Sequence, residues 1–153
     1  MRLASALSER ALLQEKILDL KNRLENNAVL QEGEKPNEDP WELLHELDSI
    51  LEKYEGILAA INLTNSNTRT AEGVTVTELL SKREALEKRI DALNRMMQTA
   101  SEKPHRFARN EIKWLPSVSI PELRKLKDAS EKQLRVLNEQ IQEINWTTEL
   151  IEK

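Results

Sequence analysis

The stretch Ser8-Glu9-Arg10-Ala11-Leu12-Leu13-Gln14-Glu15-Lys16-Ile17-Leu18-Asp19-Leu20 and its near copy Ser81-Lys82-Arg83-Glu84-Ala85-Leu86-Glu87-Lys88-Arg89-Ile90-Asp91-Ala92-Leu93 decide the fold. Both space their apolar residues three and four apart, which places them on one face of an α-helix. Extended both ways, the first becomes a seam of Leu3, Ala6, Arg10, Leu13, Ile17, Leu20, Leu24 and Asn27. The second becomes Val76, Leu79, Arg83, Leu86, Ile90, Leu93, Met97 and Ala100.

Between and after them lie two more seams. Leu43, Leu47, Ile50, Tyr54, Ile57, Ile61 and Thr64 form one, ending in the polar run from Asn62 to Thr70 that Gly73 follows. Leu123, Leu126, Leu134, Leu137, Ile141 and Ile144 form the other. Helix starts are marked by Asp39-Pro40-Trp41-Glu42, by Thr75 with Glu78, and by Ser119 with Glu122 and Pro121 in the first turn. A short side chain that accepts from the first free amides, a Glu three residues on and a Pro that needs no amide partner are the local signals of a helix N-terminus.

The helices also match one another. At a shift of 73, Ser8, Arg10, Leu13, Lys16, Ile17, Leu20 and Leu24 fall on Ser81, Arg83, Leu86, Arg89, Ile90, Leu93 and Met97. At a shift of 83, Ile61-Asn62-Leu63-Thr64 falls on Ile144-Asn145-Trp146-Thr147. Any two Leu-rich helices align in part, but Arg inside a seam and a shared I-N-x-T helix end are not generic. The expectation is an all-α, up-and-down four-helix bundle forming one domain over 1–153, made of two repeated hairpins, 1–72 and 73–153.

Composition agrees with a helical protein and excludes several chemistries. Among 153 residues there are 3 Gly, 39% hydrophobic residues, 33% charged residues and no Cys, so disulfides, thiolate metal sites and a Cys nucleophile are out. The net charge of −4 argues against a protein built to hold a phosphate backbone. Residues 1–75 carry 8 basic against 14 acidic side chains, net −6, and residues 76–153 carry 15 against 13, net +2, so the two halves attract. No apolar run is long enough for a signal peptide or a membrane span, and a cytoplasmic location is expected.

Four segments carry a family likeness: Asn26-Asn27-Ala28-Val29-Leu30-Gln31-Glu32-Gly33-Glu34; Ile61-Asn62-Leu63-Thr64-Asn65 with Thr68-Arg69; Arg109-Asn110-Glu111-Ile112-Lys113; and Ile144-Asn145-Trp146-Thr147-Thr148. They resemble the septicolysin-like family of small bacterial proteins over nearly the whole chain. The resemblance implies a small helical protein with no catalytic residues to carry over, in a family named after a haemolysin.

Candidate sites follow from single residues that break the helical logic. Arg10 and Arg83 interrupt two seams at equivalent places, and a guanidinium there needs an acceptor or a path to solvent. Antiparallel packing brings them toward the end that holds Asn62, Thr64, Arg69, Asn145 and Thr147, a polar end that either caps the helices or binds a ligand. At the opposite, loop end, Ile112, Trp114, Val118 and Ile120 alternate with mostly polar residues, a strand-like period of two interrupted by Pro116. With a weaker echo at Val29 and Gln31, and with Trp41 nearby, they read as an interface at which copies of the chain associate.

Glu42, His45 and Asp48 have a spacing compatible with metal ligands, although Glu42 is already explained as part of a helix start. The basic loop Lys103-Pro104-His105-Arg106-Phe107-Ala108-Arg109, with Lys113-Trp114, is a weak single-stranded nucleic-acid signal, more simply a partner for the acidic half. The sequence leads to a non-enzymatic, homo-oligomeric helical binding or scaffold protein that needs no cofactor and binds no nucleic acid. A membrane-active lysin is the alternative, and a metal-binding bundle a lesser one.

Overall fold

A computed structural model of the chain describes residues 1–102 and 112–153. It holds four α-helices, α1 (Leu3–Asn26), α2 (Pro40–Asn67), α3 (Val76–Ser101) and α4 (Ile120–Thr147), and no strand among the described residues. The all-α expectation holds, with helices paired as α1·α2 and α3·α4.

The cap residues act as the sequence implies. Asp39 accepts from the Trp41 amide at 2.9 Å with Pro40 opening α2, and Ser119 Oγ accepts from the Glu122 amide at 3.3 Å in the first turn of α4. α1 starts differently. Arg2 gives it no side-chain cap, and the Leu3 amide donates instead to the Thr148 carbonyl at 2.9 Å. The first amide of α3, on Val76, likewise donates to the Thr68 carbonyl at 3.0 Å. α2 runs through the polar segment that reads as its end. Thr64 Oγ1, Ser66 Oγ and Asn67 Nδ2 fold back onto the helix and donate to the carbonyls four residues earlier, of Ala60, Asn62 and Leu63, so these polar side chains are satisfied without ending the helix.

The chain divides into two compact units, 1–76 with 143–153, and 77–142. The last turn of α4 with the C-terminal segment belongs to the first unit. In that unit α1 and α2 are antiparallel. Leu3, Ala6, Ile61 and Leu150 form its buried cluster, flanked by Leu7, Ile57 and Ala60. Buried Leu13, Leu20 and Leu43 continue the seam toward the loop, and Gln14 Nε2 donates across it to Tyr54 Oη at 3.3 Å. Each fully buried Leu or Ile contributes about 1.5–3 kcal/mol.

The 27–39 connection is fastened to the hairpin. Asn27 Nδ2 donates to the Arg23 carbonyl and Asn27 Oδ1 accepts from the Glu38 amide, while Arg23 grips both Glu38 carboxylate oxygens. Gly33, at φ +86°, supplies the left-handed turn. In the second unit, Leu79, Ile90, Leu123, Leu137 and Ile141 are buried, and Arg89 Nη1 donates across α3 and α4 to the buried Ser130 Oγ at 2.8 Å.

Burial recurs with a fixed period. The buried and half-buried positions of α1 recur in α3 at a shift of 73, with Arg10 and Arg83 half-buried at matching places. Those of α2 recur in α4 at a shift of 80, not 83: Leu43, Ile61 and Asn65 correspond to Leu123, Ile141 and Asn145. The I-N-x-T copies are therefore three residues out of register, so Thr64 is buried where Thr147 is exposed.

Residues 112–116 are non-helical and exposed and form no β-bridge within the chain. Among the described residues the β-bridges are Arg2↔Glu149 and Arg69↔Thr75, at the other end of the first hairpin.

The Arg23 hydrogen bonds hold the Glu38 carboxyl below its ordinary value of 4.5, and Glu38 in turn raises Arg23. Glu38 thus binds fewer protons folded than unfolded, so its contribution is complete above that value and is lost as pH falls through the depressed folded one. Glu38→Gln should lower stability at neutral pH and show a shallower acid loss than the wild type in denaturant titrations between about pH 6 and about pH 3. Parallel curves for the two proteins would refute the pairing.

Candidate functional site

The end of the first unit opposite the 27–39 loop gathers polar groups around the two β-bridges. After α4, the Leu150 amide donates to the Met1 carbonyl at 2.7 Å, and the Ile151 amide donates to Thr64 Oγ1 at 2.8 Å. Thr64 is fully buried; its hydroxyl donates to Ala60 and accepts from Ile151, so both its capacities are used. Arg2 donates from Nη1 to the Thr147 carbonyl at 2.8 Å and pairs through Nε with Glu149 at 3.1 Å. The Met1 ammonium reaches the same carboxylate at 3.3 Å.

The second bridge is the same joint made locally. The Thr70 amide donates to the Val74 carbonyl, the Gly73 amide returns to the Thr70 carbonyl, and Gly73 sits at φ +84°. Arg69 Nη1 donates to the Gly73 carbonyl at 2.7 Å, which fixes the turn.

Of the residues expected at a polar end, Arg10, Asn62, Thr64, Arg69, Asn145 and Thr147 belong to the first unit, and Arg83 to the second. Asn62 is exposed, with its carbonyl accepting from Ser66, and Thr147 Oγ1 donates to the Glu143 carbonyl at 2.8 Å. Two buried side-chain atoms have no partner among the described residues, Arg10 Nε and Asn65 Oδ1. Sequence reasoning missed Asn65, Arg2 and Glu149. The burial period makes Asn65 the counterpart of Asn145, and the two caps that reveal that period, Asp39 and Ser119, are visible in the sequence.

Glu42, His45 and Asp48 are exposed on α2, and no cluster of three or more His, Asp or Glu placed to hold a metal exists among the described residues. Arg23, Asn37, Glu38, Asp39, Glu42, Leu43 and Glu46 line an open acidic hollow beside them. Of the loop-end residues, Trp41, Ile112 and Trp114 are strongly exposed, and Val118 and Ile120 half-buried. Residues 103–109, the basic loop with His105, lie outside the described residues. No described helix is long and apolar enough to cross a membrane.

These features define an all-α protein of paired long helices whose polar groups serve chiefly to join helix ends. The chain belongs to a family of unknown function, DUF6847, which matches residues 10–150. It is similar to a functionally unknown conserved protein from Corynebacterium diphtheriae, known from a crystal structure, at 36% identity over 99% of both chains and a TM-score of 0.90. No curated protein matches it, and neither match carries the septicolysin name.

Thr64→Val keeps the shape of the buried side chain and removes the acceptor for Ile151. It should cost about 0.5–1.5 kcal/mol and speed amide exchange at Ile151 while the middle of α1 stays protected. Unchanged exchange at Ile151 would show that the hydroxyl does not hold the C-terminal segment.

Proposed function

We propose that the chain is a non-enzymatic, homo-oligomeric helical scaffold that acts through binding. The observation that carries this reading is the exposure of large apolar side chains next to the inter-helix loops. Trp41 at 78%, Ile112 at 93% and Trp114 at 77% exposure supply apolar groups at the loop ends through which copies associate, with Val118 and Ile120 beside them in sequence. The absence of a catalytic triad, phosphate loop or metal cluster from the pattern of described residues leaves binding as the simpler chemistry. A cytoplasmic location goes with this reading.

The competing reading, a membrane-active lysin, comes from the septicolysin resemblance and predicts leakage from liposomes exposed to the pure protein. The scaffold reading predicts none, together with a sedimenting mass above 17.7 kDa at micromolar concentration. Trp114→Ala should weaken association more than Trp146→Ala. A clean monomer, or leakage, would overturn the scaffold reading.

A second binding reading concerns an anion at the polar helix end, favoured by the unpartnered donor on Arg10. Phosphate or sulfate should then raise the melting temperature of the native protein and leave an Arg10→Met variant unmoved. An equal shift in both would reduce that end to a joint between helices.

A further inference from the structure

The two joints at the polar end of the first unit match bond for bond. A shift of 80 carries Thr68, Arg69 and Thr70 to Thr148, Glu149 and Leu150, and a shift of 73 relates Val74, Thr75 and Val76 to Met1, Arg2 and Leu3. The Val76 amide donates to the Thr68 carbonyl at 3.0 Å, and the Leu3 amide to the Thr148 carbonyl at 2.9 Å. The Thr70 amide donates to the Val74 carbonyl at 2.8 Å, and the Leu150 amide to the Met1 carbonyl at 2.7 Å. The bridges Arg69↔Thr75 and Arg2↔Glu149 lie between these bonds. The helix ends agree as well: the Thr68 and Thr148 amides donate to the carbonyls of Thr64 and Ile144, both at 2.9 Å. Since the shifts follow from burial, the agreement of the bonds is independent of them.

What differs is how each pair of arms is held. In the first joint Ala71, Glu72 and Gly73 connect the arms directly, and Arg69 Nη1 and Thr70 Oγ1 fasten that turn through the Gly73 carbonyl and the Val74 amide. In the second joint the arms are connected only through all four helices. Side-chain ties stand where the turn would be: the Ile151 amide on Thr64 Oγ1, and the Glu149 carboxylate against Arg2 Nε at 3.1 Å and the Met1 ammonium at 3.3 Å. Ion pairs as exposed as these hold little, whereas a three-residue turn keeps its arms together at no further cost in loop entropy.

We infer that the segment 148–151 is a latch, which opens and recloses over the start of α1 while the α1·α2 hairpin stays folded, at a joint whose twin is kept shut by its own turn. Opening returns the Leu3 amide and the Thr64 hydroxyl to water and lifts Leu150 from its cluster. Leu3, Ala6 and Ile61, 0%, 0% and 1% exposed when the latch is shut, are then uncovered. The segment gives up one buried leucine and three backbone-donated hydrogen bonds, while the rest of the seam between α1 and α2, with Leu13, Leu20 and Leu43, stays closed. A movement that releases so few of the unit's contacts lies well below global unfolding in free energy.

Amide hydrogen exchange on the full chain, read residue by residue, tests the latch, and the twin joint supplies the control. Leu3 and Leu150 should exchange about tenfold or more faster than Val76 and Thr70, whose bonds are the same but whose loop is short. Equal rates in the two pairs overturn the inference. Joining Lys153 to Met1 puts residues 151–153 between Leu150 and Met1, as residues 71–73 stand between Thr70 and Val74, and Lys153→Gly supplies the residue for the left-handed position that Gly73 fills. In that closed chain the two pairs should exchange alike, with helicity by circular dichroism unchanged. Leu3 and Leu150 that stay fast, or a loss of helicity, count against the equivalence of the joints. Glu149→Gln in the linear chain gives a second reading, because it removes the charge that Arg2 and Met1 hold. Leu3 and Leu150 should then exchange faster still, with Val76 and Thr70 unmoved. A rise in all four rates together means that the unit opens as a whole, and that the segment is no latch.

Discussion

The hydrogen bond from the Leu3 amide to the Thr148 carbonyl is the constraint on which the rest of the first unit depends. α1 opens without a side-chain cap, so its free N-terminal amides need acceptors from elsewhere, and the segment after α4 provides one. Once Thr148 is placed, Glu149 lies against Arg2 and the Met1 ammonium, Leu150 enters the cluster with Leu3, Ala6 and Ile61, and Ile151 reaches Thr64. A missing local cap is thus converted into a packing instruction. The exposed ion pairs add little by themselves; the buried Leu150 and the backbone bonds do most of the holding.

The other end of that hairpin is fastened by different means. Asn27, Arg23 and Glu38 tie the 27–39 loop to α1. In the second hairpin the matching positions hold Ala100, Met96 and Val118, which can form no such tie. Similar seams have thus been given one closed loop and one longer connection, and Arg89 with Ser130 provides a polar link part-way along the second pair instead.

What the sequence made legible was local. Seams and caps depend on residues within a few positions of one another, so all four helices and the capped starts of α2, α3 and α4 could be read directly. The shift of 83 failed because identical letters, I-N-x-T, outweighed the side of the helix on which they fall. Counting from Asp39 to Ser119, two caps with the same job, gives the period of 80 that burial follows. The alternation from Ile112 to Ile120 looked like a strand, but a period of two makes one only when there is a partner edge and a surface to cover. Arg2 with Glu149 was invisible for a simpler reason: nothing in either neighbourhood announces a contact across the whole chain.

The two β-bridges are the same joint at very different chain separations. Arg69 meets Thr75 across a tight turn, while Arg2 waits for Glu149 until all four helices have been made. For a flexible chain, closing the larger loop costs about 3 kcal/mol more in entropy. The order of folding follows from that difference: the turn between α2 and α3 closes early, and the clasp of the termini closes last, when the hairpins have already shortened the path between them. During synthesis, α1 must therefore wait with its first amides in water until the segment after α4 has been made.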